Sequence, residues 1–507
     1  MPAHAFLSPW TLKALRDIPL QALPDFAQSC TQRLAAGERL VTLFGRPACA
    51  GEPEDCVLTA VFQPAQGPLE VLRGTARGGA RYPSLTCAHP AAQMYERELW
   101  EQTGLLPEGH PWLKPVRFEG ARQQRMADYP FFQVRGHSVH EVGVGPIHAG
   151  VIEPGHFRFM CLGETVYHLE VQLGYQHRGV EAMLLHRPAW TLAPLLESVC
   201  GDSVVAYAWG HCAAIEALSG RSVGWGTALS RAVALELERV AMHVATLGGL
   251  ATDIAFLQGG STYGRLRTAI INATQRVCGN RFGRGWIRPG RSSVLSDALR
   301  EDLVQTLRAF AVDFAQINER MRTARSVTAR CLGVGTVSTQ AARDLGLLGV
   351  VARASGVAQD VRTELPGPVY GAAPLSLVTE PQGDCWARVL LRMREAEQSV
   401  AWLLRVLEEG MPEGAEDDQG ITDASSFAAA PPALQPEALC VSLTEGARGP
   451  VVQVLETGAG GELRHYKVQD PSLANWYGLA LAVRDNAISD FPLCNKSFDL
   501  SYCGNDL

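Results

Sequence analysis

The stretch that decides this chain runs from Gly145 to Glu216. It opens Gly145-Pro146-Ile147-His148 and passes through two segments, 156–161 and 165–173, whose apolar residues alternate as in a half-buried strand. Then come Gly174-Tyr175-Gln176-His177-Arg178-Gly179-Val180-Glu181 and, after a polar gap, Glu197-Ser198-Val199-Cys200-Gly201-Asp202-Ser203. An Ala-rich helical run ending at Glu216 follows. Charged residues flank a tight glycine, and a cysteine stands at the mouth of a helix. Asp202 and Ser203 are both good N-cap residues for it.

Composition bounds what surrounds this stretch. With 507 residues and 47% apolar content, the chain has room for two or more domains and a large core. The net charge of −7 comes from scattered residues of both signs, unlike the basic stripe that nucleic acid demands. Thirteen cysteines, an odd number with no C-x-x-C, point to a reducing compartment rather than a disulfide framework. Most are expected to be small buried apolar residues. Residues 1–9 carry no positive region followed by an apolar core, so no secretory signal is expected. His211, Glu216, His243 and Asp253 interrupt the most apolar runs, leaving none of the roughly 18 clean residues of a spanning helix.

Toward the N-terminus, residues 1–118 read as an α+β module. Apolar runs at 40–44, 57–62 and 69–72 predict short strands between Gly/Pro turns, and 91–103 predicts a helix ending at Gly104. Residues 119–144, with Arg122-Gln123-Gln124-Arg125, read as a polar linker. From 145 to 507 the chain is expected to be mainly helical with small β-sheets. Helices are predicted over 229–250, 293–324, 384–409 and 472–488, strands at 451–455 and 465–468, and an acidic surface loop over 411–436. Glu236, Arg239 and His243 share one helix face, either as an exposed stripe or as a paired buried network. The apolar Val233, Leu237 and Val240 beside them favour the network. Gly333 and Gly335 hint at a phosphate loop, but no Gly-x-x-Gly or Lys-Ser/Thr completes it.

Several phrases together resemble a known family. They are Arg178-Gly179-Val180-Glu181, Cys200-Gly201-Asp202-Ser203, Gly333-Val334-Gly335-Thr336, Arg353-Ala354-Ser355-Gly356 and Glu445-Gly446-Ala447-Arg448-Gly449. This set is similar to the large subunit of group 4 membrane-bound nickel–iron hydrogenases of the formate hydrogenlyase type, and to the related quinone-site subunit of complex I. Tyr95-Glu96-Arg97-Glu98-Leu99-Trp100 with Pro107-Glu108-Gly109-His110-Pro111 resembles the small companion subunit of complex I. The resemblance implies that residues 1–118 are a docking module, held to its partner by Glu96, Arg97 and His110.

It also implies a metal site, which this sequence has lost. In such hydrogenases two C-x-x-C pairs supply four thiolates, soft ligands suited to nickel. Here the first pair reads Cys200-Gly201-Asp202-Ser203, and the second aligns with Ser501 and Gly504. One of the four sulfurs survives. Cys503 lies near but out of step, which leaves a shifted site open. A serine hydroxyl stays protonated at neutral pH and glycine offers no ligand, so the expectation is the family's fold with no metal ligands and no directly bound cofactor.

The remaining site residues follow from the same resemblance. The glutamate matching Glu181 passes protons, and a carboxyl partly desolvated near His177 and Arg178 titrates near neutrality as a relay needs. The other reading of Glu181 is a structural carboxylate paired with an arginine. His148 and His156 bracket a Gly/Pro-rich loop that, in the complex I branch, presents a histidine to quinone. His156 aligns best, although the tyrosine of that quinone site is replaced at Cys200-Gly201, and a loop-stabilising role is the other reading. Cys200, close to a helix N-terminus, is either a thiol of lowered pKa or buried packing. Glu181, His156 and Asp202 are therefore the proton-relay candidates, and His148, His156 and Cys200 the candidates for a quinone or other acceptor cavity. The implied partners are an iron–sulfur small subunit, which carries the cluster, and antiporter-like and anchor subunits of a membrane arm. The implied location is peripheral, on the cytoplasmic side of the inner membrane. Coupling of electron transfer to proton or ion translocation is the expected role. The alternatives are a non-catalytic scaffold joining the two arms and a hydrogenase with an atypical site.

Overall fold

Strand-forming runs of the N-terminal region build a four-stranded sheet in the computed structural model, which describes residues 8–49, 51–119, 125–134, 136, 138–148, 152–409 and 433–507. Its strands β2 (Leu20–Ala22), β3 (Arg39–Pro47), β4 (Cys56–Gln63) and β5 (Glu70–Ala76) lie in the order β2-β5-β4-β3. The helix Leu23–Ala35 puts Phe26 against Gly74, where an added Cβ would come within 2.7 Å of the ring. The helix Gln93–Thr103 is polar in sequence yet buried along nearly its whole length, and it ends at left-handed Gly104. A parallel pair, β6 (Arg81–Pro83) and β7 (Leu106–Glu108), completes the module.

The module does not own its first strand. β1 (Trp10–Ala14) pairs antiparallel with β13 (Ala438–Glu445), placing Trp10 opposite Ser442 and Ala14 opposite Ala438. That sheet runs β1-β13-β14-β15, with β14 (Pro450–Thr457) and β15 (Leu463–Gln469). Val41, Phe44 and Val61 of one sheet share an apolar cluster with Val441, Val452 and Val454 of the other. The expected boundary at residue 118 therefore has an exception at its very start.

The linker also needs correction. Arg122, Gln123 and Gln124 lie outside the described residues, as does 411–432 of the expected acidic loop. His140–Val144, expected in the linker, is a strand, β8, at the edge of a sheet ordered β10-β9-β8 with β9 (His156–Leu162) and β10 (Thr165–Gln172). Val142 and Val144 pack against the main core, which gives this short polar segment its reason to pair.

The remainder is largely helical, interrupted by a two-stranded hairpin of β11 (Ile287–Arg288) and β12 (Arg291–Ser292). Long helices run Trp225–Asp253, Leu257–Cys278, Asp297–Thr323 and Cys385–Glu409. The helix Val204–Leu218 is apolar apart from His211 and Glu216 and buried apart from half-buried Trp209 and Ala213, and it packs against β13 and β14. Gly210 permits that approach, because a Cβ there would meet Gln453 at 2.8 Å. The helix expected over 472–488 stops at Ala482, where the Asn486 side chain takes the Ala482 carbonyl and Asp485 turns left-handed. No helix among the described residues is long and apolar enough to cross a membrane.

Docking of the module uses neighbours of the expected residues. Glu96 accepts from Ser84 Oγ, the Leu85 and Thr86 amides and Thr86 Oγ1, all at 2.6–3.0 Å and all within the module. Arg97 donates to the Lys114 and Pro115 carbonyls, and His110 bonds near Gln93 and Trp112. The residues on either side of Glu96 and Arg97, Tyr95 and Glu98, reach across instead: Lys467 Nζ donates to Glu98 at 2.6 Å and Gln469 Nε2 to Tyr95 at 2.9 Å. Arg39 pairs with Glu364 at 2.8 Å, and Arg46 with Glu456.

Candidate functional site

Three distant parts of the chain meet around the Cys200 sulfur. The strand β10 leads into residues 174–178, which wrap the C-terminal turn. The Gly174 and Gln176 amides each donate to the Asp506 carboxylate at 2.8 Å, and the Arg178 amide donates to the Leu507 carbonyl at 2.7 Å. The Arg178 guanidinium donates to the carbonyls of Ser198, Val199 and Cys503 at 2.9–3.1 Å. It thus staples the residues before Cys200 to the C-terminal turn.

Within this clasp Cys200 lies 3.1 Å from Ser501 Oγ, and Ser501 Oγ lies 3.5 Å from Cys503 Sγ. The Cys200 thiol donates to Asp202 Oδ1 at 2.9 Å. Arg448 grips Asp202 with both terminal nitrogens, at 2.7 and 2.8 Å, and one of them stands 4.0 Å from the Cys200 sulfur. Of the two readings of Cys200, a lowered thiol pKa is the one its surroundings do not favour. The hydrogen bond to Cys503 and burial push the Cys200 thiol well above its ordinary range, with Asp202 adding to the rise against Arg448. Burial pushes Asp202 up too, but Arg448 outweighs it and brings that carboxyl down to about 2. Asp202 is an ionised anchor for Arg448, which is not the near-neutral titration a relay needs.

Neither does Ser203 cap the helix. Its side chain accepts no cap hydrogen bond; the Val205 and Ala206 amides donate instead to the Glu238 carboxyl at 2.6 and 3.2 Å. Burial pushes Glu238 up to about 8, although those two amides pull the other way. Sequence reading missed Glu238, which stands on a separate helix.

The row of Glu236, Arg239 and His243 is the paired network, and it serves this site. Glu236 bonds Arg362, Tyr370 and Ser399 at 2.6–3.0 Å. Arg239 donates to Glu395 at 2.6 Å and to the carbonyls of Glu445 and Gly446 at 3.2 and 2.5 Å, while His243 lies 3.2 Å from Glu395. Arg353 joins Glu395 to Glu445. The network therefore fixes the turn from which Arg448 projects. The signal was present in Glu445-Gly446-Ala447-Arg448-Gly449, but its ion-pair partner was not.

His148 and His156 are brought to the same neighbourhood by their loop, whose residues 149–151 lie outside the described residues. His148 Nε2 donates to the Gly155 carbonyl at 2.8 Å, and His156 Nδ1 donates to the Gly145 carbonyl at 3.1 Å. Each ring ties one end of the loop to the other. Glu153 of this loop accepts from the Tyr502 and Cys503 amides at 3.2 and 3.3 Å, which joins the loop to the C-terminal turn.

Glu181 sits elsewhere in the clasp, and its partners are not His177 and Arg178. It accepts from the Val468 amide at 2.9 Å and pairs with Lys467 at 3.1 Å, and Lys467 also holds Glu98. Burial pushes the Glu181 carboxyl up against the pull of Lys467, and Glu98 adds to the rise. Gln102 bridges Glu181 to Glu119, which lies 3.3 Å from His177 Nε2. On the other side Glu98 meets Arg117, whose Nε donates to the Asn505 carbonyl at 2.6 Å. A continuous polar chain thus joins Glu181 to the C-terminal turn.

The donors gathered at Cys200 are two thiols, one hydroxyl and a carboxylate already committed to an arginine. Among the described residues, no group of three or more His, Cys, Asp or Glu side chains is arranged to hold a metal ion.

This helical body with small sheets, carrying a thiol-headed helix clasped to a C-terminal turn, has a solved counterpart. The membrane-bound sulfane sulfur reductase, described as an archaeal respiratory membrane complex, contains a chain of the same fold. The TM-score is 0.67 at 22% identity, over 73% of this chain and 99% of that one. The chain belongs to the family of the respiratory-chain NADH dehydrogenase 49 kDa subunit, whose profile matches residues 253–506, and the profile of the 30 kDa subunit of the same enzyme matches residues 52–126. Hydrogenase-4 component G of Escherichia coli (strain K12) is 28% identical over 84% of this chain and 76% of its own length. The carbon monoxide-induced hydrogenase of Rhodospirillum rubrum is 29% identical over 71% of this chain and 98% of its own. Hydrogenase-like and complex I-like features are thus joined in one chain, with the small companion subunit fused to the large one.

Proposed function

We propose that this protein is the fused large subunit of a membrane-associated, complex I-like respiratory complex. In this reading it takes part in electron transfer from an iron–sulfur small subunit to an acceptor in the Cys200 cavity, quinone or another, and couples it to proton movement without a nickel–iron centre. The observation that carries the reading is the meeting of Cys200, Ser501 and Cys503 beside the Arg448–Asp202 ion pair. The donors do not fit nickel and iron, which ask for four thiolates; two sulfurs are offered, and a guanidinium stands 4.0 Å from one of them. No step here passes through such a centre. Glu181 supports the coupling role, because it is a buried carboxyl whose hold on a proton is strengthened by burial, and the Gln102 amide ties it to Glu119 and His177. The implied partners are the iron–sulfur subunit and the antiporter-like and anchor subunits of a membrane arm, with this chain peripheral on the cytoplasmic face.

The second reading is a scaffold that joins an electron-transfer arm to an ion-translocating arm. It is favoured by the engagement of both imidazoles with loop carbonyls and of Asp202 with Arg448. Donor-to-acceptor electron transfer in membranes, with assembly checked on native gels, separates the two. Loss of a relay carboxylate is worth about 10²–10⁴-fold in rate, so Glu181→Gln should slow turnover in intact complex. Normal turnover in both Glu181→Gln and His156→Ala would leave the scaffold. Elemental analysis is expected to find no stoichiometric nickel; about one nickel per chain, with hydrogen uptake lost in Cys200→Ala, would instead establish the atypical hydrogenase.

A further inference from the structure

We infer that a second cavity, apart from the Cys200 site, binds a neutral aromatic compound bearing a carbonyl oxygen. The cavity measures about 950 Å³ and lies where the two halves of the chain meet. Pro9 and Trp10 from the N-terminal edge, Leu443 of β13, and Trp209 and Trp225 from two helices line it. Cys200, Asp202, Arg448, Ser501 and Cys503 do not. Close packing leaves few voids larger than a water in a folded interior, whereas ligand pockets of about 300–1,000 Å³ favour seams between domains.

The walls define what fits. None of the three indoles is fully covered: Trp10 is 39% exposed, and Trp209 and Trp225 are half-buried. Leu235, Leu365, Pro366 and Val369 extend the apolar lining around them. Flat aromatic molecules pack well on such rings, offset-stacked or edge to face. The charged groups of the lining are already engaged. Glu216 holds Arg231 through two hydrogen bonds at 2.6 and 2.8 Å and takes the Gly290 amide at 2.7 Å. Arg362 is held by Asp360 at 2.7 Å and Glu236 at 3.0 Å, and Glu445 by Arg353 at 2.8 Å. Arg221 is engaged as well. No charge in this lining is left to pair with an ion, so a charged occupant loses its hydration without return. A neutral one does not.

Two donors of the lining lack a partner, Arg231 Nε and Trp225 Nε1, and Arg231 is buried to 1% exposure. Among the described residues, no buried side-chain acceptor of the lining lacks one. What the cavity wants is an oxygen that accepts, and a carbonyl offers two lone pairs and no proton. Arg362 and Glu445 also belong to the network that fixes the Arg448 turn, so the occupant rests against that framework.

The cavity lies within one chain, so the test uses the whole purified chain and needs no partner subunit. Near-ultraviolet light couples benzophenone, a neutral diaryl ketone, to C–H bonds within its reach. Digestion and mass spectrometry should place the label on peptides holding Trp10, Trp209, Trp225 or Leu443, about tenfold above exposed Leu257 and Val294. Anionic 4-benzoylbenzoate should label the same peptides about tenfold less. Ala213→Trp and Ala228→Trp fill the cavity from two different helices, and each should cut the label about tenfold. Benzanilide, an aromatic amide, should compete with the label, and diphenylmethane, which lacks the oxygen, about tenfold less well. Label spread evenly over Leu257, Val294 and the cavity peptides overturns the site, as does full label in both filled variants with native melts. Equal labelling by 4-benzoylbenzoate overturns the neutral occupant, and equal competition by diphenylmethane overturns the carbonyl. The spread of label is read on the unaltered chain, so it decides even where a filled variant fails to fold.

Discussion

Arg448 and Asp202 face each other through two hydrogen bonds of 2.7 and 2.8 Å, beside a thiol that donates to the same carboxylate. One residue comes from the turn after β13 and the other from the mouth of the helix Val204–Leu218, so the pair locks two elements distant in sequence. It also fixes a permanent positive charge next to sulfur, and the acidity of the Asp202 carboxyl follows from it.

Replacing Asp202 with Asn should cost about 1.5–3 kcal/mol, the usual worth of hydrogen bonds to charged groups. The pH dependence has a defined sign. The folded-state carboxyl lies at about 2, below its unfolded value near 4, so its contribution is complete above pH 4 and is lost as pH falls toward 2. Denaturant melts of the two proteins should differ at pH 7 and converge under acid.

Glu238 should behave oppositely. Held near 8, it keeps in the folded state a proton that the unfolded chain releases above about pH 4. Its contribution to stability therefore declines as pH rises from about 4 to 8. Glu238→Gln, which still offers an oxygen to the Val205 and Ala206 amides, should remove that decline. Thermal melts across this range should show the Gln variant gaining on the unaltered chain at the alkaline end; a constant gap would contradict the assignment.

Lys467 is buried between Glu98 of the module and Glu181 of the large domain, with about 1% of its side chain exposed. Glu98→Ala removes one partner from a buried ion pair and should cost about 3–5 kcal/mol. Replacing Glu98 and Lys467 together by Met should recover only part of that loss, because buried Arg117 and Glu181 each lose a partner in the exchange. Chemical denaturation of the two variants beside the unaltered chain measures it, and protease cutting of the module should track the same order.

Gly349 offers a test from a distance. It has φ of +60°, and a Cβ on it would fall 1.9 Å from the Arg448 carbonyl oxygen. Gly349→Ala should push the turn at Arg448 aside and cost about 1–3 kcal/mol, the range for overpacking a tight interior. Whatever chemistry depends on Arg448 should weaken with it, although residue 349 touches no sulfur. A melt and a turnover assay on one preparation would show whether the two losses travel together.

What was legible follows from the range over which each signal acts. The helix Trp225–Asp253 and the strands β9 and β10 declare themselves by periodicity, since neighbouring residues carry the pattern. The buried row Glu236, Arg239 and His243 could be read as a network because apolar residues flank it on the same helix. Its partners Glu395 and Arg362 could not, being set by packing far along the chain. Ser203 misled for a local reason: it is a good cap by type, but Glu238 reaches the helix amides first. Glu96 looked like a docking residue and turned inward, while Glu98, two positions on, points to the partner. Two residues along a helix is a rotation of more than half a turn.

The pairing of β1 with β13 carries a consequence for how the chain is made. During synthesis Trp10–Ala14 leaves the ribosome long before its partner Ala438–Glu445. Trp10–Ala14 must therefore wait while the long stretch between them is made before its sheet can close, and non-local pairings of this kind are slow to form. Excising residues 1–118 as a unit would strip β13 of its neighbour and leave a bare apolar edge, the kind of surface on which strands from other molecules assemble. The fusion is thus a stitch as well as a tether: the two halves share a strand, and neither can be cleanly lifted from the other.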